Sequence, residues 1–119
     1  MEKIDAVTAL AALAQDNRLD AYRLLVEAGP AGMAAGEVAT ALDLPPNTLT
    51  FHFDRLRVAG LVTVRRDGRS MIYAPRYDTM NALLSYLTKN CCSGRAEKCA
   101  APACKPAKKS APRKKEVVA

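Results

Sequence analysis

The first 90 residues contain no cysteine, and the whole 119-residue chain has one histidine and no Cys-x-x-Cys. The missing Cys-x-x-Cys removes the usual thiol reductase signature, and no acid–base pair converges anywhere in the sequence, so the chain does not read as an enzyme. No apolar stretch approaches the roughly 20 residues that a membrane-spanning helix needs. The longest early apolar run is Ala9 to Ala14, and the opening Met1-Glu2-Lys3-Ile4-Asp5 is charged. The expectation is a cytoplasmic protein, neither exported nor membrane-bound. From residue 93 onward there is no Leu, Ile or aromatic residue, while three prolines and eight Lys or Arg are present. Such a segment cannot bury enough apolar area to offset the entropy of ordering it. Residues 93–119 therefore read as a flexible basic tail and 1–92 as one folded domain.

Charge is distributed unevenly. Residues 1–90 hold ten Lys or Arg and ten Asp or Glu, so the formal +6 arises wholly in residues 91–119. Within the balanced part, residues 1–50 carry three basic and seven acidic groups, and residues 51–90 carry seven and three. A basic half followed by a basic tail suits a polyanionic partner.

The domain is helix-rich. Ile4, Val7, Leu10 (or Ala11) and Ala14 form a helical stripe over about 3–14. Asp16 and Asn17 are candidate caps for a second helix, with Leu19, Tyr22, Leu24, Leu25 and Val26 feeding a core and Gly29-Pro30 ending it. Residues 30–33 read as a turn. A short helix over about 34–42 follows, with Val38, Ala41 and Leu42 inward. After Asp43-Leu44-Pro45, Pro46 suits the first turn of a helix that runs to about Ala59 and ends at Gly60. The period then changes: Leu61-Val62-Thr63-Val64 alternates, Asp67-Gly68 signals a hairpin turn and Ser70-Met71-Ile72-Tyr73 pairs back. A last helix spans about 77–90, with Met80, Leu83, Leu84 and Leu87 apolar. The fold class is mainly α with a β-hairpin, in the order α-α-α-α-β-β-α.

Two helices joined by a short turn, then a hairpin and a helix, make a winged helix-turn-helix. Asn17-Arg18-Leu19, Arg23-Leu24-Leu25, Thr48-Leu49-Thr50-Phe51-His52-Phe53-Asp54-Arg55-Leu56, Ala59-Gly60-Leu61-Val62 and Arg65-Arg66-Asp67-Gly68-Arg69 resemble the ArsR/SmtB family of metal-sensing repressors. The resemblance covers about residues 4–92. It implies a repressor that binds double-stranded operator DNA as a homodimer through the hairpin wing and the helix over 46–59. On that helix Leu49, Phe53 and Leu56 stand at i, i+4 and i+7 and should face the core. Asn47, Thr48, Thr50, Phe51, His52 and Arg55 are the candidate DNA-binding residues: Asn pairs with adenine, Arg with guanine, and a Thr methyl or Phe meets a thymine methyl. His52 would be a phosphate contact or the support of one. Arg65, Arg66 and Arg69 flank the wing tip and suit phosphate or minor-groove contact. In the resembled family the first and last helices form the dimer, which here implicates Val7, Leu10, Met80, Leu84 and Leu87.

All four cysteines lie within 14 residues: Cys91, Cys92, Cys99 and Cys104. Clustering of this kind favours soft-metal binding or redox chemistry over packing. An adjacent pair is not the knuckle of a structural zinc site, and it closes a disulfide on itself only under strain. A vicinal pair with a third thiol a short loop away suits a thiophilic ion that takes three sulfurs, as As(III) and Sb(III) do. Some arsenite-responsive members of the resembled family carry their cysteines on the helix before the reader, where this chain has none. Others carry a Cys-Cys pair at the end of the last helix and one more downstream. The second pattern implies As(III) or Sb(III) as inducer, held by Cys91, Cys92 and Cys99, with Cys104 unassigned. A thiol redox switch on the same DNA-binding domain is the alternative.

Overall fold

The computed structural model describes residues 1–94. Residues 1–83 form one compact unit, and a second begins at Leu84. Of the proposed tail, only Ser93 and Gly94 are described; residues 95–119, with Cys99 and Cys104, lie outside the described residues.

Helix α1, Lys3–Leu13, opens with the Glu2 backbone N–H donating to Asp5 Oδ2 at 3.1 Å. It buries Ala6, Ala9 and Ala12 and leaves Ile4, Val7 and Leu10 facing solvent at 74%, 57% and 42% exposure. The apolar stripe read from the sequence is thus the outer face. Alanines admit close approach to α2 and α4, and the bulky side chains are left outside. Helix α2, Asp16–Ala28, is capped not by Asp16 or Asn17 but by Gln15, whose Oε1 accepts from the Arg18 backbone N–H at 3.0 Å. Tyr22 and Leu25 enter the core, Leu24 and Val26 are half-buried, and Leu19 is exposed.

Met33, read as the end of a turn, and Ala34, read as the start of a helix, instead form a short strand, β1 (Met33–Ala34). Gly32 precedes it at φ +82°, and a Cβ there would overlap the Tyr73 carbonyl oxygen, so this approach requires glycine. Helix α3, Ala35–Leu42, begins with the Ala34 N–H donating to Glu37 Oε1 at 3.1 Å. It buries Val38 and Ala39, whereas Ala41 is exposed. Three residues separate it from α4, Pro46–Val58, which has proline at its first position. Leu49, Phe53 and Leu56 of α4 are at most 1% exposed, as their spacing predicts. Burying each such side chain stabilises the fold by about 1.5–3 kcal/mol.

Strands β2, Val62–Asp67, and β3, Ser70–Pro75, form an antiparallel hairpin with Asp67 opposite Ser70. The two-residue loop is therefore Gly68-Arg69, one residue later than the sequence signal, with Gly68 at φ +64°. The sheet order is β1-β3-β2, with Met33 opposite Tyr73 and Ala34 opposite Ile72. Helix α5, Tyr77–Leu87, buries Leu83 and stops with its last apolar residue, short of the expected end near residue 90. A separate 3-10 turn, Cys91–Gly94, follows. Among the described residues no helix is long and apolar enough to cross a membrane.

Candidate nucleic-acid interface

The core anchors of α4 determine which of its side chains meet solvent. Asn47, Thr48, Thr50, Phe51 and Arg55 are all exposed, Phe51 at 51%. Thr50 Oγ1 donates to the Pro46 carbonyl at 2.9 Å, which leaves its methyl and its lone pairs for a partner. Arg57 is tied to Asp54 at 2.6 Å. Arg55 has no carboxylate within ion-pair distance among the described residues.

His52 departs from the expectation of an exposed DNA contact. It is 7% exposed, and its Nδ1 accepts from Arg18 Nε–H at 3.2 Å. Burial pushes its pKa down, and the Arg18 charge pushes it further the same way. The imidazole is therefore neutral near pH 7, with its proton on Nε2. The spacing 49, 52, 53, 56 is the ordinary buried stripe of a helix, so this position was readable from the sequence.

Arg18 was not among the candidate DNA-binding residues, since its partner His52 lies 34 residues away in sequence. Its guanidinium carbon is 5.7 Å from the centroid of the Phe51 ring, and that of Arg55 is 5.3 Å away. Two cations thus converge on an exposed aromatic ring of α4.

The wing arginines are all exposed. Arg65 Nη2 donates to the Ala31 carbonyl at 3.1 Å and Arg66 Nε to that of Gly68 at 3.3 Å, while Arg69 occupies the loop. Phe53 of α4 stacks on Tyr73 of β3 at 4.1 Å, so helix and wing share a packed joint.

Of the expected metalloid ligands, Cys91 is half-buried and Cys92 exposed. They do not close the last helix as expected. They start the 3-10 turn, after Asn90 at φ 60° breaks the chain direction, and Cys92 itself has φ 56°. Among the described residues no three metal-ligating side chains gather, and Cys99 lies outside them.

A helix-turn-helix domain model matches residues 13–65. The uncharacterized HTH-type transcriptional regulator YceK of Bacillus subtilis (strain 168) is 34% identical over 73 residues, 61% of this chain and 72% of that protein. Three solved structures share the fold. A possible transcriptional regulator for arsenical resistance is 26% identical with a TM-score of 0.60, covering 69% of this chain and 81% of that one. Reduced HlyU from Vibrio cholerae N16961 is 25% identical with a TM-score of 0.56, over 75% and 90%. The homodimeric winged helix-turn-helix domain Mb0332 of Mycobacterium bovis, a possible ArsR-family regulator, is 23% identical with a TM-score of 0.59, over 82% and 86%.

The chain belongs to the helix-turn-helix transcriptional regulators, and its fold is the winged helix of the ArsR-like kind. These are DNA-binding proteins, not enzymes.

Proposed function

We propose that the protein is a homodimeric repressor that grips an inverted-repeat operator with α4 and the wing, and lets go when As(III) or Sb(III) binds Cys91, Cys92 and Cys99. The observation that carries the DNA half is the exposed polar face of α4, joined to an arginine-bearing wing through the Phe53–Tyr73 stack. Bases would be read by Asn47, Thr48, Thr50, Phe51 and Arg55, and phosphates held by Arg65, Arg66 and Arg69.

Dimerisation is supported by large apolar side chains that the described residues leave exposed: Val7 and Leu10 on α1, Leu84 and Leu87 on α5. Met80 is half-buried on α5. Two reading heads then contact half-sites about one helical turn, roughly 34 Å, apart or a multiple of it.

The metalloid half rests on thiol chemistry. Two consecutive cysteines on one short turn, with a third seven residues on, offer three soft donors to an ion that prefers a trigonal thiolate set. The likeness to a possible regulator for arsenical resistance agrees with this reading. Linkage requires that the ion favour a dimer shape with poor DNA affinity. The second reading, a thiol redox switch, draws on the likeness to reduced HlyU. Operator release by arsenite from reduced, oxygen-free protein supports the first. Release by peroxide without metalloid, and none by arsenite, supports the second.

A further inference from the structure

We propose that Arg18 is a DNA phosphate contact supplied from outside the helix-turn-helix pair, and that His52 is the positioning residue that aims it. The proposal rests on the assignment of α4 as the reading helix.

Arg18 is half-buried in the first turn of α2. Asp16 and Asp20 flank it in sequence, yet no carboxylate lies within ion-pair distance of it among the described residues. Its Nε–H is committed to His52 Nδ1, which fixes the guanidinium plane and leaves the two terminal NH2 groups to donate elsewhere. The guanidinium flanks Phe51, whose other cationic neighbour is Arg55. Phe51 belongs to the exposed face of α4.

Two guanidinium groups around one ring repel each other. The ring offsets this only in part, since a cation–π contact at an exposed site contributes about 0.5–1 kcal/mol. The arrangement therefore lacks an anion. The anion at hand when α4 enters a groove is the backbone phosphate, for which arginine's planar fork is the best-matched side chain. Burial of a neutral imidazole on the inward side of α4 fits the same purpose: an acceptor that cannot neutralise Arg18 holds it in place without consuming its charge.

The test measures binding of Arg18→Ala, Arg18→Lys, His52→Phe and the Arg18→Ala/His52→Phe double variant to one random-sequence duplex, between about 50 and 200 mM salt. Arg18→Ala should weaken binding about ten-fold and reduce the slope of log K against log salt by about 0.9 per bound protomer. Arg18→Lys should keep the slope and lose several-fold in affinity, because an ammonium cannot serve His52 and a phosphate with one rigid fork. His52→Phe keeps a buried ring without the acceptor. It should weaken binding less than Arg18→Ala does and leave the slope intact, and it should add nothing in the double variant. Partial unfolding lowers the active fraction but not the slope, so a merely structural role leaves the slope at its wild-type value. An unchanged slope in Arg18→Ala, or additive losses in the double variant, would overturn the proposal. Wild-type protein that fails to bind the duplex would instead overturn the assignment of α4 on which it rests.

Discussion

Phe53 and Tyr73 stack with ring centroids 4.1 Å apart and planes inclined by 19°. One ring belongs to α4, the other to the central strand of the sheet, where Tyr73 faces Val64 on one side and Met33 on the other. The stack makes the helix and the wing a single body. The exposed face of α4 and the wing arginines therefore meet a partner in fixed relation.

That joint should be costly to remove. Phe53 is 0% exposed, and Phe53→Ala should destabilise the protein by about 3–5 kcal/mol, read from the denaturant midpoint. A loss below about 1 kcal/mol would show that the joint contributes little to the fold.

The wing and the reading helix should fail in different ways. Arg69→Ala removes an exposed loop charge that has no carboxylate partner among the described residues. It should weaken binding to all duplexes and flatten the salt dependence by about 0.9 for each phosphate left without its arginine. Arg65→Ala should do the same but also loosen the wing, since Arg65 donates to Ala31. Substitution at Thr50 or Arg55 should shift sequence preference instead. Competition binding against operator variants separates the two classes.

His52 should make the fold acid-sensitive in a defined window. Its folded pKa lies below the ordinary value near 6.5, so the unfolded chain takes up a proton first as pH falls. Stability is full above pH 6.5, declines as pH drops toward the folded pKa, and levels off beneath it. His52→Phe lacks this decline. Melting temperatures of both proteins, measured across that range, should diverge only in the slope between the two pKa values.

Gly32→Ala should be destabilising by at least 1–3 kcal/mol, a rough figure for a strained φ alone. The added Cβ meets the Tyr73 backbone oxygen, which cannot yield without breaking the β1–β3 pairing. Gly29→Ala, with φ +92° but open space around it, should cost less. Thermal melts of the pair compare strain with collision.

Much of the fold was legible because α4 and the hairpin obey simple periods. Leu49, Phe53 and Leu56 occupy one helical stripe, and Asp67-Gly68 marks the turn to within one residue. Strand β1 was not legible, since two residues carry no alternation and pair only because Gly32 lets the chain approach. On α1 the apolar stripe of Ile4, Val7 and Leu10 was legible, but the inner face was not: close helix packing selected the small side chains of Ala6, Ala9 and Ala12. Within the candidate site, His52 could have been placed by its spacing from Leu49 and Phe53. Arg18 could not, because tertiary folding alone brings it to α4.

On the proposed function, metalloid binding to Cys91, Cys92 and Cys99 releases the operator. Fluorescence anisotropy of a labelled operator, titrated with arsenite under reducing, oxygen-free conditions, measures this directly. Cys91→Ser and Cys92→Ser should bind DNA as the wild type does and fail to release it. Cys99→Ser should be crippled towards arsenite, yet retain a response to a monomethylated arsenical that two sulfurs can hold. Cys104 lies further along the sequence and would have to close a longer loop for the same sulfur, so Cys104→Ser should respond almost normally. Full arsenite release from Cys91→Ser, or none from Cys104→Ser, would contradict the account.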